Sequence, residues 1–335
     1  MQAIQLAAPG GLEHLQLVNL ADAAAPQAGE IQVRIHASSL NYHDLLVVSR
    51  PGAAAPNRIP MADGAGVVTA VGAGVTEFAV GDHVVSTFFP QWLSGRQVPS
   101  DFALVPGDGC DGFARELVTL PATAFTAAPH GYSHEEAATL TTAGLTAWRA
   151  LVVNGRIQAG DTVLVLGTGG VSIFALQMAK SMGARVIATT SSAAKAERLK
   201  ALGADVVINY ADTPEWGNAV LAATDGRGAD IVVEVGGPGT LPQSIRACAV
   251  GGHMALIGVL TGFTGNIPTA ELMAKQQTLQ GLIVGSREHQ QDMVRALERF
   301  DWKPVIDSSY ALAQIAQAFA HQQTGQHFGK ICLSY

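Results

Sequence analysis

Cysteine is nearly missing from this 335-residue sequence: Cys110, Cys248 and Cys332 stand far apart and make no C-x-x-C pair. That argues against a disulfide-stapled scaffold or a cysteine-rich structural zinc lobe and points to a reducing compartment, taken as the cytoplasm. Charge is sparse too. Only 14% of residues are Asp, Glu, Lys or Arg, the formal net charge is −7, and no basic block occurs, so no nucleic-acid surface is expected. No apolar run reaches the length of a membrane span. The first residues, M-Q-A-I-Q-L-A-A-P-G, carry no charged segment ahead of a long apolar core, so no secretory signal is expected either. What remains is a chain with 37 glycines and 48% apolar residues, long enough for two buried cores and suited to an α/β protein.

The most informative stretch is 162–190. Residues 163–166 are wholly apolar, as a strand covered on both faces of a parallel sheet would be. Gly167-Thr168-Gly169-Gly170 breaks the run, the apolar spacing from 171 to 182 is helical, and Gly183 ends it. Residues 185–190 read as a second strand. Strand, glycine turn, helix, strand is the unit in which N–H groups at a helix N-terminus receive a pyrophosphate. The G-x-G-x-x-G pattern is met by Gly167 and Gly169, with Ser172 in the third glycine position, small enough for close helix-to-strand packing.

Around this unit the chain divides. Residues 1 to about 125 are β-rich, with 31–37 alternating in polarity. Gly64 to Thr69 and Gly72 to Val75 resemble phosphate loops, but no helical run follows, so they read as tight turns and bulges. The segment 88–112, with Phe88, Phe89, Trp92 and Phe102, is either a lid over a ligand or a loop packed on its own aromatics. Ser133 and Glu136 form a capping box that opens a helix to about Leu140. His130 falls outside that helix, so His130 and His134 are not expected to share a metal. Further strands are expected at 206–209, 231–235, 254–259 and 279–284, giving about six in a doubly wound sheet. Helices near 194–202, 287–300 and 312–322 and a strand at 330–334 complete the chain.

An NAD site usually ends its second strand in Asp or Glu, which holds the ribose 2′-hydroxyl. Here the sequence has Thr190, Ser191, Ser192 and then Lys195, with Arg198 one turn later. Hydroxyls donate to a 2′-phosphate and Lys195 supplies charge, so NADP(H) is expected. The alternative leaves Lys195 and Arg198 as a solvated helix face.

Ser39-Leu40-Asn41-Tyr42-His43-Asp44, Asp63-Gly64-Ala65-Gly66-Val67-Val68, Gly81-Asp82-His83-Val84, Ala143-Gly144-Leu145-Thr146-Ala147-Trp148, the Gly167 loop and His327-Phe328-Gly329-Lys330 together resemble the medium-chain dehydrogenase/reductase superfamily. The resemblance covers essentially the whole chain. It implies a doubly wound parallel (Rossmann) sheet over 126–289 and a β-rich GroES-like catalytic domain over 1–125 and 290–335. The positions that hold catalytic zinc in the alcohol dehydrogenases carry Asn41, Ala62 and Thr142, and Ala62 has no donor atom. That pattern resembles the zinc-free quinone oxidoreductase branch, whose members reduce quinones or activated enones with NADPH. An alcohol or carbonyl oxidoreductase with the same cofactor, and an NADPH-binding structural protein, stay open.

The resemblance also implies site residues. Asn41 would orient substrate or cofactor, Tyr42 is a possible proton donor, and His43 stands where the alcohol dehydrogenases put a proton-relay hydroxyl; each has packing as its alternative role. Asp63 reads as a turn-fixing residue. The implied cofactor surface consists of Thr142, Gly167, Thr168, Gly169, Gly170, Val171, Thr190, Ser191, Ser192, Lys195, Tyr210, Gly236, Gly258, Val259, Val284, Phe328 and Lys330. Relatives pair through the sheet edge, here near 279–285, which implies a homodimer acting on a small molecule.

Overall fold

The computed structural model describes residues 1–52, 55–96, 99 and 101–335. The chain divides into two compact units, Met1–Leu145 with Val284–Tyr335, and Thr146–Ile283.

The first unit begins with an antiparallel ribbon of β1 (Gln2–Leu6) and β2 (Leu15–Asn19). It continues through β3 (Glu30–Ser39), α1 (Tyr42–Ser49), β4 (Ala65–Val71), β5 (His83–Ser86), β6 (Leu117–Pro121), β7 (Phe125–Ala127) and α2 (His134–Ala138). In β3 the apolar alternation turns Ile31, Val33, Ile35 and Ala37 inward, all essentially buried. Ile31, Val33 and Ile35 pack with Val68, Val84, Phe113, Val118 and Phe125 in one core, and Ala37 packs with Ala65, Ala137 and Ala138 in another. The segment from Gly64 keeps the expected bulges but not a turn over its whole length: Ala65–Val71 is a strand, and its pairing with β3 shifts register between Gln32 and Val33 and between Ile35 and Ala37. Valine-rich residues pair readily when a neighbouring strand offers a ladder, which local glycine content does not reveal.

After α2 the chain stays helical through Asn154, with π-helical stretches at Leu140–Gly144 and Arg149–Asn154 around the short α3 (Leu145–Trp148). The structural division falls at 145/146, against 125/126 from the sequence. The reason is packing: α2 lies on β3, β4 and β5.

The second unit holds β8 (Thr162–Leu166), α4 (Gly170–Ser181), β9 (Arg185–Thr190), α5 (Ala193–Ala201), β10 (Val206–Asn209), α6 (Trp216–Ala223), β11 (Ala229–Glu234), α7 (Leu241–Ala247), β12 (Cys248–Leu256), α8 (Thr269–Ala274) and β13 (Thr278–Gly281). All six strands are parallel, in the order β10-β9-β8-β11-β12-β13. This is the doubly wound order, and the order in which successive strands are added reverses between β8 and β11, where such sheets open a ligand crevice. Every residue of β8 is buried. Covering Val163, Leu164 and Val165 contributes about 1.5–3 kcal/mol per side chain.

The chain then returns to the first unit through α9 (Arg287–Leu297), β14 (Ile306–Ala311), α10 (Ile315–Gln323) and β15 (Lys330–Ser334). Strand β15 pairs antiparallel with β3, Cys332 opposite Ser39. Continuing that register sets Lys330 opposite Asn41.

Candidate active site

At the C-terminal end of β8 the backbone turns at Gly167, whose φ of 70° is left-handed and favours glycine. Gly169 then caps α4 without a side-chain hydrogen bond. A twelve-residue helix therefore starts with its first N–H groups lacking intrahelical acceptors. A Cβ added at Gly167 or Gly169 would meet nothing within 4 Å, so space lies over the turn. Thr168 is buried beside it. Ser172 shows why serine suffices in the third glycine position: its Oγ donates to Leu166 O at 2.7 Å, tying helix to strand. Gly167, Thr168, Gly169, Gly170 and Val171 thus lie together in one open turn at the N-terminus of α4.

Thr190 ends β9, buried, and its Oγ1 accepts from Ser192 N at 3.2 Å. Ser192 caps α5 by accepting from Lys195 N at 3.3 Å. Tyr210 N donates to Thr190 O at 2.9 Å, which sets the half-exposed Tyr210 ring next to the end of β9. Ser191, Ser192, Lys195 and Tyr210 are therefore gathered at the ends of neighbouring strands with no carboxylate in the β9 turn.

Beyond β11 the loops are tied by a residue that sequence reading passed over. Glu234 is fully buried, and its Oε1 accepts from Gly236 N (2.7 Å), Gly237 N (2.9 Å) and Thr240 Oγ1 (2.6 Å), while Ser244 Oγ donates to the other oxygen. Thr261 N donates to Gly236 O at 2.8 Å, bringing the loop of Gly258 and Val259 against that of Gly236. A Cβ at Gly258 would sit 1.9 Å from Val235 O, so only glycine fits. A strand-final acid followed by two glycines was the available signal for Glu234.

In the first unit a buried polar cluster replaces the expected turn role of Asp63. Asp63 is 0% exposed, and its carboxylate accepts from Ser39 Oγ (2.5 Å) and Thr142 Oγ1 (2.6 Å), with Lys330 Nζ at 3.9 Å. Lys330 Nζ donates to Leu40 O (2.5 Å) and Asn41 Oδ1 (2.6 Å). Asp44 accepts from Asn41 N (2.9 Å), Asn41 Nδ2 (3.1 Å) and Ala62 N (2.9 Å). Burial pushes Asp63 up to about 6 against the pull of Lys330, and likewise raises Asp44 and lowers Lys330. The hydrogen bonds are what keep these groups tolerable inside the protein.

The candidate catalytic residues fare differently. Asn41 is buried with its amide committed to Lys330, Asp44 and Ser39. Tyr42 opens α1 and is 40% exposed. His43 stacks on Phe102 with centroids 5.2 Å apart, meets Phe88 edge-on at 5.5 Å, and sets Nε2 3.3 Å from Asp108 Oδ2. Burial pulls His43 down, but Asp108, Asp44 and Asp63 outweigh it and raise it above an ordinary imidazole. Asp44 was readable as the third helical residue of a capping box, N-x-x-D; nothing in the sequence marks Asp108.

Two further expected positions are packed inside the first unit. Val284 is buried with φ 45°, and Phe328 is buried while its N donates to Asp307 Oδ1 at 2.9 Å. In the 88–112 loop Phe88, Phe89 and Trp92 are buried, the packed alternative. His130 is exposed beside Glu298, whereas His134 stacks between His36 and His83, so the two histidines do not converge.

Comparison with known proteins agrees with this architecture. A family model described as an alcohol dehydrogenase GroES-like domain matches residues 27–130, and one described as a zinc-binding dehydrogenase matches 170–301. A zinc-type alcohol dehydrogenase-like protein of Schizosaccharomyces pombe is 40% identical over 315 residues, spanning 91% of this chain and 90% of that protein. The solved structure of an NAD-dependent alcohol dehydrogenase superposes with a TM-score of 0.89 at 35% identity, over 100% of both chains. A quinone oxidoreductase of Pseudomonas syringae pv. Tomato DC3000 gives 0.81 at 28% identity, over 100% of this chain and 99% of that one. With an ordered GroES-like unit and a doubly wound dinucleotide unit, the chain belongs to the medium-chain dehydrogenase/reductase superfamily of oxidoreductases.

Proposed function

We propose that this protein is an NADPH-dependent oxidoreductase that reduces a quinone or activated enone without a metal. The observation that carries the proposal is the hydrogen-bonded cluster at Asn41, Ala62 and Thr142. Ala62 offers only a methyl group, the Asn41 amide and Thr142 hydroxyl are already bonded, and Lys330 supplies a fixed positive charge 2.6 Å from Asn41 Oδ1. A zinc ion would find neither the thiolate and imidazole donors it prefers nor room for its charge.

When bound, reduced nicotinamide supplies the hydride. The chain's own part is to hold and to protonate. The N–H groups of Gly170 and Val171 suit the pyrophosphate, and Ser191, Ser192, Lys195 and Tyr210 suit a 2′-phosphate. His43 is the proton donor in this reading. A conjugated acceptor spreads developing charge over its π-system, so hydrogen bonds suffice where a simple alcohol would call for a Lewis acid.

A second reading, an alcohol or carbonyl oxidoreductase, is favoured by the names of relatives at 35% and 40% identity. Initial rates with NADPH against quinones, enones and aldehydes, and with NADP⁺ against alcohols, separate the two. The proposal expects quinones or enones to dominate; faster alcohol turnover would transfer the assignment, and NADPH binding without any turnover would make the protein a structural one. We further propose a homodimer through the open edge of β13, which among the described residues pairs with β12 alone. Light scattering reporting a monomer at micromolar concentration would overturn it.

A further inference from the structure

We propose that Asp108 is a positioning residue for His43, holding the ring so that Nδ1 is the nitrogen that passes a proton to the substrate, an inference that rests on the oxidoreductase reading above. His43 is the second residue of α1, and its ring is clamped by stacking on Phe102 (5.2 Å, 23° between planes) and by the edge contact with Phe88, which is 1% exposed. Those contacts fix the ring plane. Its rotation within that plane is set by Asp108 Oδ2, 3.3 Å from Nε2. Nε2 is a buried nitrogen with no hydrogen-bond partner among the described residues, and Asp108 Oδ2, within ion-pair distance, is the group whose charge acts on it. Since His43 keeps a quarter of its side chain exposed, Nδ1 is the nitrogen left to meet a ligand.

Asp108 is itself held. Its N–H donates to Val105 O at 3.2 Å, Gly107 N to Cys110 O at 2.9 Å and Cys110 N to Val105 O at 3.3 Å, closing a tight turn. The carboxylate favours the tautomer with hydrogen on Nε2 and stabilises the doubly protonated ring. In the reduction of an enone, the β-carbon receives hydride with both electrons from NADPH and the C=C bond becomes single. The α-carbon takes the proton from Nδ1. NADP⁺ is released, the neutral ring keeps its Nε2 proton toward Asp108, and water restores the proton at Nδ1.

The test pairs a spectrum with kinetics. In protein labelled with ¹⁵N-histidine, the His43 signals, assigned by their loss in His43→Gln, are expected to report a proton retained on Nε2. Asp108→Asn should shift them toward a mixed tautomer and Asp108→Glu should restore them; an unchanged Asp108→Asn spectrum overturns the proposal. Kinetically, Asp108→Asn should lower kcat about 10-fold or more, within the range of general-acid contributions, with acceptor KM and NADPH affinity little changed. It should cost nothing further in a His43→Gln background. Additive losses, or an effect on KM alone, would contradict the positioning role. Wild-type protein that turns over no acceptor would sink the oxidoreductase reading, and with it proton transfer to substrate, whereas a failed tautomer shift in an active enzyme sinks only the role of Asp108.

Discussion

The ammonium of Lys330 donates to the side-chain oxygen of Asn41 across 2.6 Å, between residues 289 positions apart in the chain. The register of β15 on β3 makes this meeting, and Asp63 and Asp44 complete the cluster around it. Replacing Lys330 with methionine leaves Asp63 buried without its cation and Asn41 without its donor. The expected loss of stability is about 3–5 kcal/mol in urea unfolding, partly recovered by adding Asp63→Leu. A loss below ~1 kcal/mol would show that the cluster does not depend on the charge pair.

Gly167 turns at φ 70° with open space around its Cα. Gly167→Ala should therefore cost about 1–2 kcal/mol of stability from the left-handed backbone alone, read as a shift in urea midpoint. The added methyl would occupy the space over the turn, so NADPH affinity, read by fluorescence titration, should fall as well. Unchanged affinity would separate the turn from cofactor binding.

The 2′-phosphate assignment turns on Ser191, Ser192, Lys195 and Tyr210. Lys195→Ala should weaken NADPH about 10-fold, about 1.4 kcal/mol, and leave NADH unaffected. Ser191→Asp should reverse the preference by setting a carboxylate where the phosphate would lie. Equal affinities of the native protein for NADPH and NADH would contradict the assignment.

His134 lies between the rings of His36 and His83, with centroids 4.6 and 4.9 Å away. Burial first, and then the two neighbouring imidazoles, pull it down to about 4. The sign follows: between about 6.5 and 4 the unfolded chain takes up a proton that the native stack refuses, so stability falls as pH falls through that window. His134→Phe keeps a ring in the stack and removes the proton. Urea midpoints at pH 7 and pH 5 should differ less in this variant than in the native chain; an equal difference would place the acid sensitivity elsewhere.

The dinucleotide unit was legible because its signals are local. Apolar β8, the glycine turn and the helical spacing of α4 lie within thirty residues or so, and the structure keeps them nearly where the spacing put them. Ser172 was readable as a small residue, though not as a donor to Leu166 O. The first unit was harder. Asp63 read as a turn residue because its partners, Ser39, Thr142 and Lys330, come from three distant segments brought together by strand register. Asp108 carries no sequence signal at all, since only the fold of its loop sets it beside His43. The π-helical stretch containing Thr142 was equally invisible, being a matter of one extra residue per turn.

In the proposed function, hydride transfer proceeds without a metal. It is tested most directly by the initial rate of NADPH oxidation with a quinone or enone acceptor, on protein stripped by chelator, verified free of zinc by mass spectrometry, and then remeasured with zinc restored. The account predicts the same rate in both preparations. Loss of turnover on stripping, with recovery on adding zinc, would contradict it.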